Sequence, residues 1–307
     1  MRALVTGASG FIGANLAAEL ERSGHGVVGL DDFTASNFEN LKDFSGDFVA
    51  ADLCDLSAWA DRVGEVDAVF HQAAFTDTTV TDQLLMMRVN VEAFRGLLLW
   101  AAERGVKTLI YASSAGIYGD GPVPMREDAR PRPLNVYAFS KRVMEKVACD
   151  FTRAHPKMRV VGLRYFNVFG PGERFKGAAA SMIRQLALQM RAGKRPRVFE
   201  FGEQYRDFIY VKDVVRANML AAAKASSGAY NVCTGDKTSF NAVISALNSV
   251  LGAKLQPEYF KNPYSFYQNE TLGDPARARK AFGFKAAFST AEGIRDYLGA
   301  KESAASV

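Results

Sequence analysis

The chain has 307 residues, 48% hydrophobic and 23% charged, a balance that fits one large globular domain or two sharing a cleft. Net charge is +5 with the basic residues dispersed, so no nucleic-acid stripe is evident, and no apolar run reaches the roughly 18 residues a membrane helix needs. The glycine-rich start carries no export-signal core, and the isolated Cys54, Cys149 and Cys233 and scattered His25, His71 and His155 suggest neither a disulfide framework nor a metal site, which points to a reducing, cytoplasmic setting.

The first half alternates strand-like and helix-like segments. Residues 2–6 read as a short buried strand and 11–23 as a helix, with Leu16 and Leu20 at helical spacing. Strands follow at 27–30, 47–51, 66–70, 108–112 and 160–163, with helices between them that include 82–104 and 138–154. Such alternation predicts an α/β fold of the Rossmann type, a doubly wound parallel sheet with helices on both faces. After Arg164 the rhythm changes: a helix is expected at 178–192, strand-like pieces at 197–201, 207–211 and 230–235, and short helices toward the end. This predicts a dinucleotide-binding domain over 1–165 and a smaller mixed α/β substrate-binding lobe over 166–307, with segments within 207–235 returning to the first domain. The lobe is expected to close over the carboxyl ends of the strands, where open α/β sheets bind ligands.

Directly after the first strand comes Gly7-Ala-Ser-Gly10-Phe-Ile-Gly13, opening a helix. Glycines there allow a tight turn and close approach of backbone to a pyrophosphate, and the helix N-terminus offers unpaired N–H groups and a positive dipole end. Asp31-Asp32 ends the second strand about 20 residues on, where the ribose partner belongs. Asp52-Leu53 ends the third, where an Asp can hold the adenine edge. An ordinary strand-to-helix turn would explain the glycines alone, but not the three features in order.

The strongest chemical signal is Tyr137-Ala-Phe-Ser-Lys141, whose spacing puts Tyr137 and Lys141 on one helix face. A neighbouring ammonium and an oxidised nicotinamide are both expected to lower the phenol's pKa and make Tyr137 a base. Ser114, in the tract Ala112-Ser-Ser-Ala-Gly-Ile-Tyr-Gly119 after the fifth strand, can hydrogen-bond the reacting oxygen.

With these motifs the sequence resembles the extended short-chain dehydrogenase/reductase family over essentially its whole length. Within it, the tracts 133–141, 164–171, Lys176-Gly177, 206–213, Tyr267-Gln268 and 291–293 resemble the ADP-glycero-manno-heptose 6-epimerases. The resemblance implies redox epimerisation. Bound NAD(P)+ takes hydride from C6 of the heptose, the keto intermediate turns about C5–C6, and hydride returns to the other face. It also implies two bases, Tyr137 for one epimer and Lys176 for the other, with Lys141 and Ser114 completing the catalytic set. By itself, a lysine in such a loop is more often a solvated charge or a phosphate contact. Cofactor contacts carried over by the resemblance fall on Phe11, Ile12, Asp31, Asp32, Ala73, Ala74, Asn90, Tyr137, Lys141 and Val168. Substrate contacts fall on Ser114, Asn167, Lys176, Arg206 and Tyr267, with Phe199 and Glu200 near the nucleotide base. Arg206 suits a diphosphate, because a guanidinium grips two oxygens at once. A nucleotide-sugar substrate and a homo-oligomer are implied; nucleic-acid, membrane and metal partners are not expected.

The chain departs from the heptose epimerases at several points. They carry a lysine beyond the second strand that holds the NADP 2′-phosphate, whereas 31–41 contains Asp31, Asp32 and Glu39 and no base. NAD is therefore the expected cofactor, with NADP as the alternative. Gln185 replaces a histidine, 199–202 reads Phe-Glu-Phe-Gly, and Phe266 replaces an arginine. A UDP-hexose 4-epimerase is the main alternative and would need little from Lys176. A 4,6-dehydratase is disfavoured because Ala115-Gly116 stand where it carries Asp-Glu. A non-catalytic dinucleotide sensor is disfavoured by the intact Tyr137 and Lys141.

Overall fold

The structure, a computed structural model, describes residues 1–77, 82–262 and 270–299. Its centre is a seven-stranded parallel sheet. The strands are β1 (Arg2–Thr6), β2 (Gly26–Asp31), β3 (Asp47–Ala50), β4 (Ala68–His71), β5 (Thr108–Ser114), β6 (Arg159–Tyr165) and a late strand at Gly228–Val232. They lie in the order β3-β2-β1-β4-β5-β6 followed by the late strand, the doubly wound arrangement the alternating pattern predicts. The late strand pairs in parallel with β6, Gly228 opposite Val161 and Val232 opposite Tyr165.

Helices cover both faces because successive strand residues point opposite ways and both sets are apolar. Ala3 and Val5 face a cluster with Leu16, Ala17 and Leu20 of α1 (Phe11–Arg22). Leu4 faces the other side, with Trp59 of α2 (Leu56–Trp59) and Phe94, Leu97 and Leu98 of α4 (Ala93–Glu103), which follows the short α3 (Gln83–Met87). Between α3 and α4 the helix runs as a π-turn over Arg88–Glu92. The 82–104 pattern is thus helical throughout but wound wide at its middle, a distortion that often marks functional sites. Met144 and Ala148 of α5 (Val136–Ala154) complete this face.

Beyond β6 the chain builds a second apolar core. It contributes β7 (Asn167–Phe169), a 3₁₀ segment (Glu173–Ala179), α6 (Met182–Arg191), β8 (Arg197–Phe199), β9 (Tyr205–Arg206) and β10 (Phe208–Tyr210). The helix α7 (Val211–Lys224) then packs back on α1 and leads into the late strand, β11. After β11 come β12 (Thr238–Ser239), α8 (Phe240–Leu251), β13 (Glu258–Phe260), α9 (Ala276–Phe282) and α10 (Thr290–Gly299). Phe169, Ile183, Leu186, Phe208, Phe240, Leu247 and Ile294 fill the second core. α9 packs on α7 and β11, against the sheet rather than the second core. The helix expected at 178–192 is divided: Ser181 caps α6 by accepting from Arg184 N–H, and the residues before it form the 3₁₀ segment.

Candidate active site

The glycine turn after β1 is built for close approach. A Cβ at Gly13 would lie 1.9 Å from the carbonyl oxygen of Gly7, so only glycine fits there. Gly7 N–H is held by Leu30 O at 2.8 Å and Gly10 N–H by Gly7 O at 3.0 Å. Gly10 is the N-cap of α1 and offers no side-chain acceptor, which leaves the first-turn N–H groups around Phe11 and Ile12 free of a side-chain cap. Such a helix start fits a pyrophosphate.

Asp31 ends β2 beside this turn. One carboxylate oxygen accepts Ser9 N–H at 3.0 Å; the other accepts Phe33 N–H at 2.9 Å and Ser36 Oγ–H at 3.0 Å. It therefore folds the loop after β2 onto the phosphate turn. Asp32 is exposed and accepts Thr34 N–H. Asp52 and Leu53 line a cavity of about 320 Å³ with Cys54, Arg88 and Glu92, beside the end of β3. Arg88, which sequence reasoning did not single out, thus comes from the π-turn into the expected adenine region. Across the turn, Ala73 N–H reaches Thr6 Oγ1 at 3.3 Å, and Ala74 follows it. Asn90 is fully buried in the π-turn. Its amide accepts from Phe75 N–H at 2.8 Å and donates to Phe75 O at 3.0 Å and Ser140 Oγ at 2.9 Å. It pins the 73–75 segment to α5.

α5 starts at Asn135, whose Oδ1 accepts Ala138 N–H at 2.8 Å and so places Tyr137 in the first turn. Tyr137 is hydrogen-bonded to Ser114 at the end of β5. Lys141 lies one turn on, its Nζ 5.8 Å from the Tyr137 ring centroid. Ser114, Tyr137 and Lys141 are brought together as expected. The electrostatics differ from the expectation. Burial raises the Tyr137 phenol above its ordinary pKa, and the bond to Ser114 offsets this only in part. Burial also pushes Lys141 down to about 7, which weakens the ammonium as a counter-charge for the phenol. Lys141 is 1% exposed and, among the described residues, donates to a single acceptor, Ala112 O, at 2.9 Å. A buried ammonium with one partner has spare donors, which suits a ribose diol at that place.

Val168 and Asn167 lie on β7, beside β10. Asn167 Nδ2 donates to Asp207 O and Thr271 Oγ1, both at 3.1 Å. Arg206 donates to Tyr205 O at 2.9 Å with its guanidinium 5.7 Å from the Phe240 ring centroid. The neighbouring Asp207 spends its carboxylate on Thr234, Gly235 and Gly273. Phe199 and Glu200 line a second cavity of about 300 Å³ with Phe201, Glu203, Tyr205 and Glu270. Tyr267 lies outside the described residues. Lys176 sits in the 3₁₀ segment with its Nζ 5.6 Å from the centroid of the Phe11 ring, at the start of α1, and burial lowers its pKa.

Two further features were not singled out from sequence. Asn15 Nδ2 donates to Pro171 O at 2.8 Å and Asn40 Nδ2 to Gly172 O at 3.2 Å, which docks the segment before Lys176 on the phosphate turn. Arg174 pairs with Glu39 at 3.3 Å, so folding brings a cation to the loop after β2 although 31–41 contains no base. An acid and an arginine inside GPGERFKG were the visible signal, but nothing in one dimension says which neighbour they meet.

This is a dinucleotide fold with a Ser-Tyr-Lys cluster at the carboxyl ends of its strands, and the chain belongs to the NAD dependent epimerase/dehydratase family, whose sequence pattern matches residues 3–233. Over 99% of its length it is 37% identical to the ADP-L-glycero-D-manno-heptose-6-epimerase of Alkalilimnicola ehrlichii, 98% of which is covered. Among solved structures it is similar to the ADP-L-glycero-D-manno-heptose-6-epimerase of Helicobacter pylori, with TM-score 0.89, 39% identity, and 97% and 95% of the two chains covered. It is also similar to the UDP-glucose 4-epimerase of Thermotoga maritima, solved with UDP-glucose, with TM-score 0.90, 28% identity and 97% of each chain covered.

Proposed function

We propose that this protein is an NAD-dependent sugar-nucleotide epimerase that inverts C6 of an NDP-heptose, in the manner of the ADP-glycero-manno-heptose 6-epimerases it resembles. The observation that carries the heptose reading is Lys176. It is a second amine, half-buried, held at the first turn of α1 and separate in sequence from the Ser114-Tyr137-Lys141 cluster. When bound, oxidised NAD supplies a hydride acceptor and a positive charge beside the sugar. The first-turn N–H groups of α1 would bind its pyrophosphate, Asp31 its adenosine ribose, Asp52 and Leu53 its adenine, and Lys141 its nicotinamide ribose, with Ala73, Ala74, Asn90 and Val168 walling the site. Tyr137, ionised beside that positive charge, takes the hydroxyl proton of one epimer at its Oη while Ser114 Oγ holds the same oxygen. Lys176 returns a proton to the oxygen of the opposite epimer, and its lowered pKa favours the neutral amine for the reverse direction. Arg206 would grip the diphosphate, Asn167, whose amide hydrogens go to Asp207 O and Thr271 Oγ1, would offer its Oδ1 to a substrate hydroxyl, and Phe199 and Glu200 would face the base.

The 4-epimerase reading is kept alive by the close match in shape to the Thermotoga enzyme. Purified protein incubated with ADP-, GDP- and UDP-linked heptoses and hexoses, followed by NMR, separates the two. Inversion at C6 of a heptose without net redox is expected; inversion at C4 of a hexose alone would replace this reading. Exposed Leu84, Leu99 and Phe139, on α3, α4 and α5, support a homo-oligomer. The three unpaired cysteines are consistent with a cytoplasmic enzyme.

A further inference from the structure

We infer that Glu173 is the positioning residue for Lys176: its buried carboxylate closes the loop that presents the lysine and holds the charge on its ammonium. The inference rests on the reading of Lys176 given above only for its consequence in turnover, not for the coupling itself.

Glu173 is 0% exposed. One of its oxygens accepts Gly170 N–H at 3.2 Å and Ser181 Oγ–H at 3.0 Å; the other accepts Ser181 N–H at 2.6 Å. Gly170 and Ser181 are the two ends of the loop, so one carboxylate staples it shut. Between them Gly177, at φ 53°, breaks the 3₁₀ helix directly after Lys176 and turns the chain back toward Ser181. On its outer side the loop is docked by Asn15 and Asn40. Lys176 has therefore little freedom, and its ammonium stays over Phe11.

Three donated hydrogen bonds favour the ionised carboxylate, against burial, which raises its pKa. The other charged groups near the loop are engaged elsewhere. Arg174 turns to Glu39, Arg184 on α6 reaches the Tyr297 hydroxyl at 3.3 Å, and α1 presents Phe11 and Asn15, which carry no charge. Glu173 and Lys176 stand three residues apart in one 3₁₀ segment, where side chains at i and i+3 eclipse, so among the described residues Glu173 is the counter-charge that opposes the loss of the Lys176 proton that burial favours.

The test measures Lys176 directly. The full-length protein is pulsed with an amine-acetylating reagent across pH 6–11, and labelling of each lysine is read by peptide mass spectrometry. In Glu173→Gln the midpoint for Lys176 should fall by about one pH unit or more, while that of exposed Lys146 stays in place. An unmoved Lys176 midpoint in a folded variant overturns the proposal. Ser181→Ala keeps the charge but drops the Oγ–H bond to Glu173 and the cap bond from Arg184 N–H, so its midpoint should match the parent; a fall as large as in Glu173→Gln would assign the effect to loop geometry instead. Lys176→Met leaves the staple in place and reads the coupling from the other side. The Glu173 carboxyl, followed by carbon-13 NMR, should then titrate at higher pH, and an unchanged titration also overturns the proposal. In turnover, the limb of the pH–rate profile set by Lys176 should move with the labelling midpoint. If labelling moves and that limb does not, the coupling stands and the catalytic reading of Lys176 fails.

Discussion

Replacing Arg164 with Met should destabilise the protein by about 3–5 kcal/mol, because it strands a buried carboxylate. Arg164 at the end of β6 grips Glu145 of α5 with two nitrogens, Nε at 2.8 Å and Nη2 at 2.7 Å, and the two side chains are 4% and 5% exposed. The same guanidinium donates to the Tyr118 hydroxyl at 2.7 Å, and Glu145 also accepts from Ser113 Oγ at 2.8 Å. Removing the cation leaves Glu145 charged and buried, holding among the described residues only Ser113 and a distant Arg142, 3.9 Å away. With an unfolding entropy of about 2.1 cal/mol/K per residue, the loss corresponds to a Tm fall of about 5–8 °C. Replacing both partners, Arg164→Met with Glu145→Leu, removes the stranded charge. It leaves mainly the Ser113 hydroxyl without its acceptor, since Tyr118 keeps Asn231 at 2.6 Å, so the double variant should lose only about 1–3 kcal/mol. Denaturant titration of the parent, both single variants and the double variant measures the cycle. A double variant no more stable than Arg164→Met would refute the stranded-charge argument, and so would an Arg164→Met variant that unfolds at the parent's denaturant midpoint.

Tyr137→Phe and Lys176→Met should each slow epimerisation by about 10²–10⁴-fold with cofactor still bound; near-normal turnover in Lys176→Met would favour 4-epimerisation. Burial holds Lys141 near 7, below its ordinary 10.5, so the unfolded chain binds a proton between those values that the folded one does not. In cofactor-free protein this contribution to stability grows as pH rises from about 7 toward 10.5 and is lost as pH falls back through 7, by up to about 1.4 kcal/mol per unit. Subtracting the stability-versus-pH curve of Lys141→Met isolates it, and a flat difference would contradict it. Mass spectrometry of nucleotide released on denaturation should find mainly NAD; a preponderance of NADP would indicate that Arg174 leaves Glu39 to meet the 2′-phosphate.

The sheet, the phosphate turn and the Ser114-Tyr137-Lys141 cluster were legible because each is written in a short stretch. Leu16 and Leu20 at helical spacing, Gly13 at the turn and a four-residue Tyr–Lys gap have one cheap structural solution apiece. What stayed hidden depends on distant pairing. Asn90 stood out only through the resemblance, and its hold on Phe75 and Ser140 shows only once the π-turn buries it. The absence of a base in 31–41 suggested a purely acidic ribose loop, yet Arg174, remote in sequence, lies against Glu39. The pKa of Tyr137 also eluded the sequence, since burial depends on the packed environment and here outweighs the hydrogen bond with Ser114.

The last strand of the sheet is supplied late: β6 has β11 as its outer neighbour, and all of β7, α6 and β8–β10 are made between them. During synthesis β6 therefore emerges with one row of backbone N–H and C=O groups open and must wait for Gly228–Val232 to cover them. A nascent chain halted within 170–225 would carry an apolar, unpaired strand margin able to recruit a like strand from another chain. Ribosome pausing or proteolysis in that interval should thus be far more damaging to yield than the same event after residue 233.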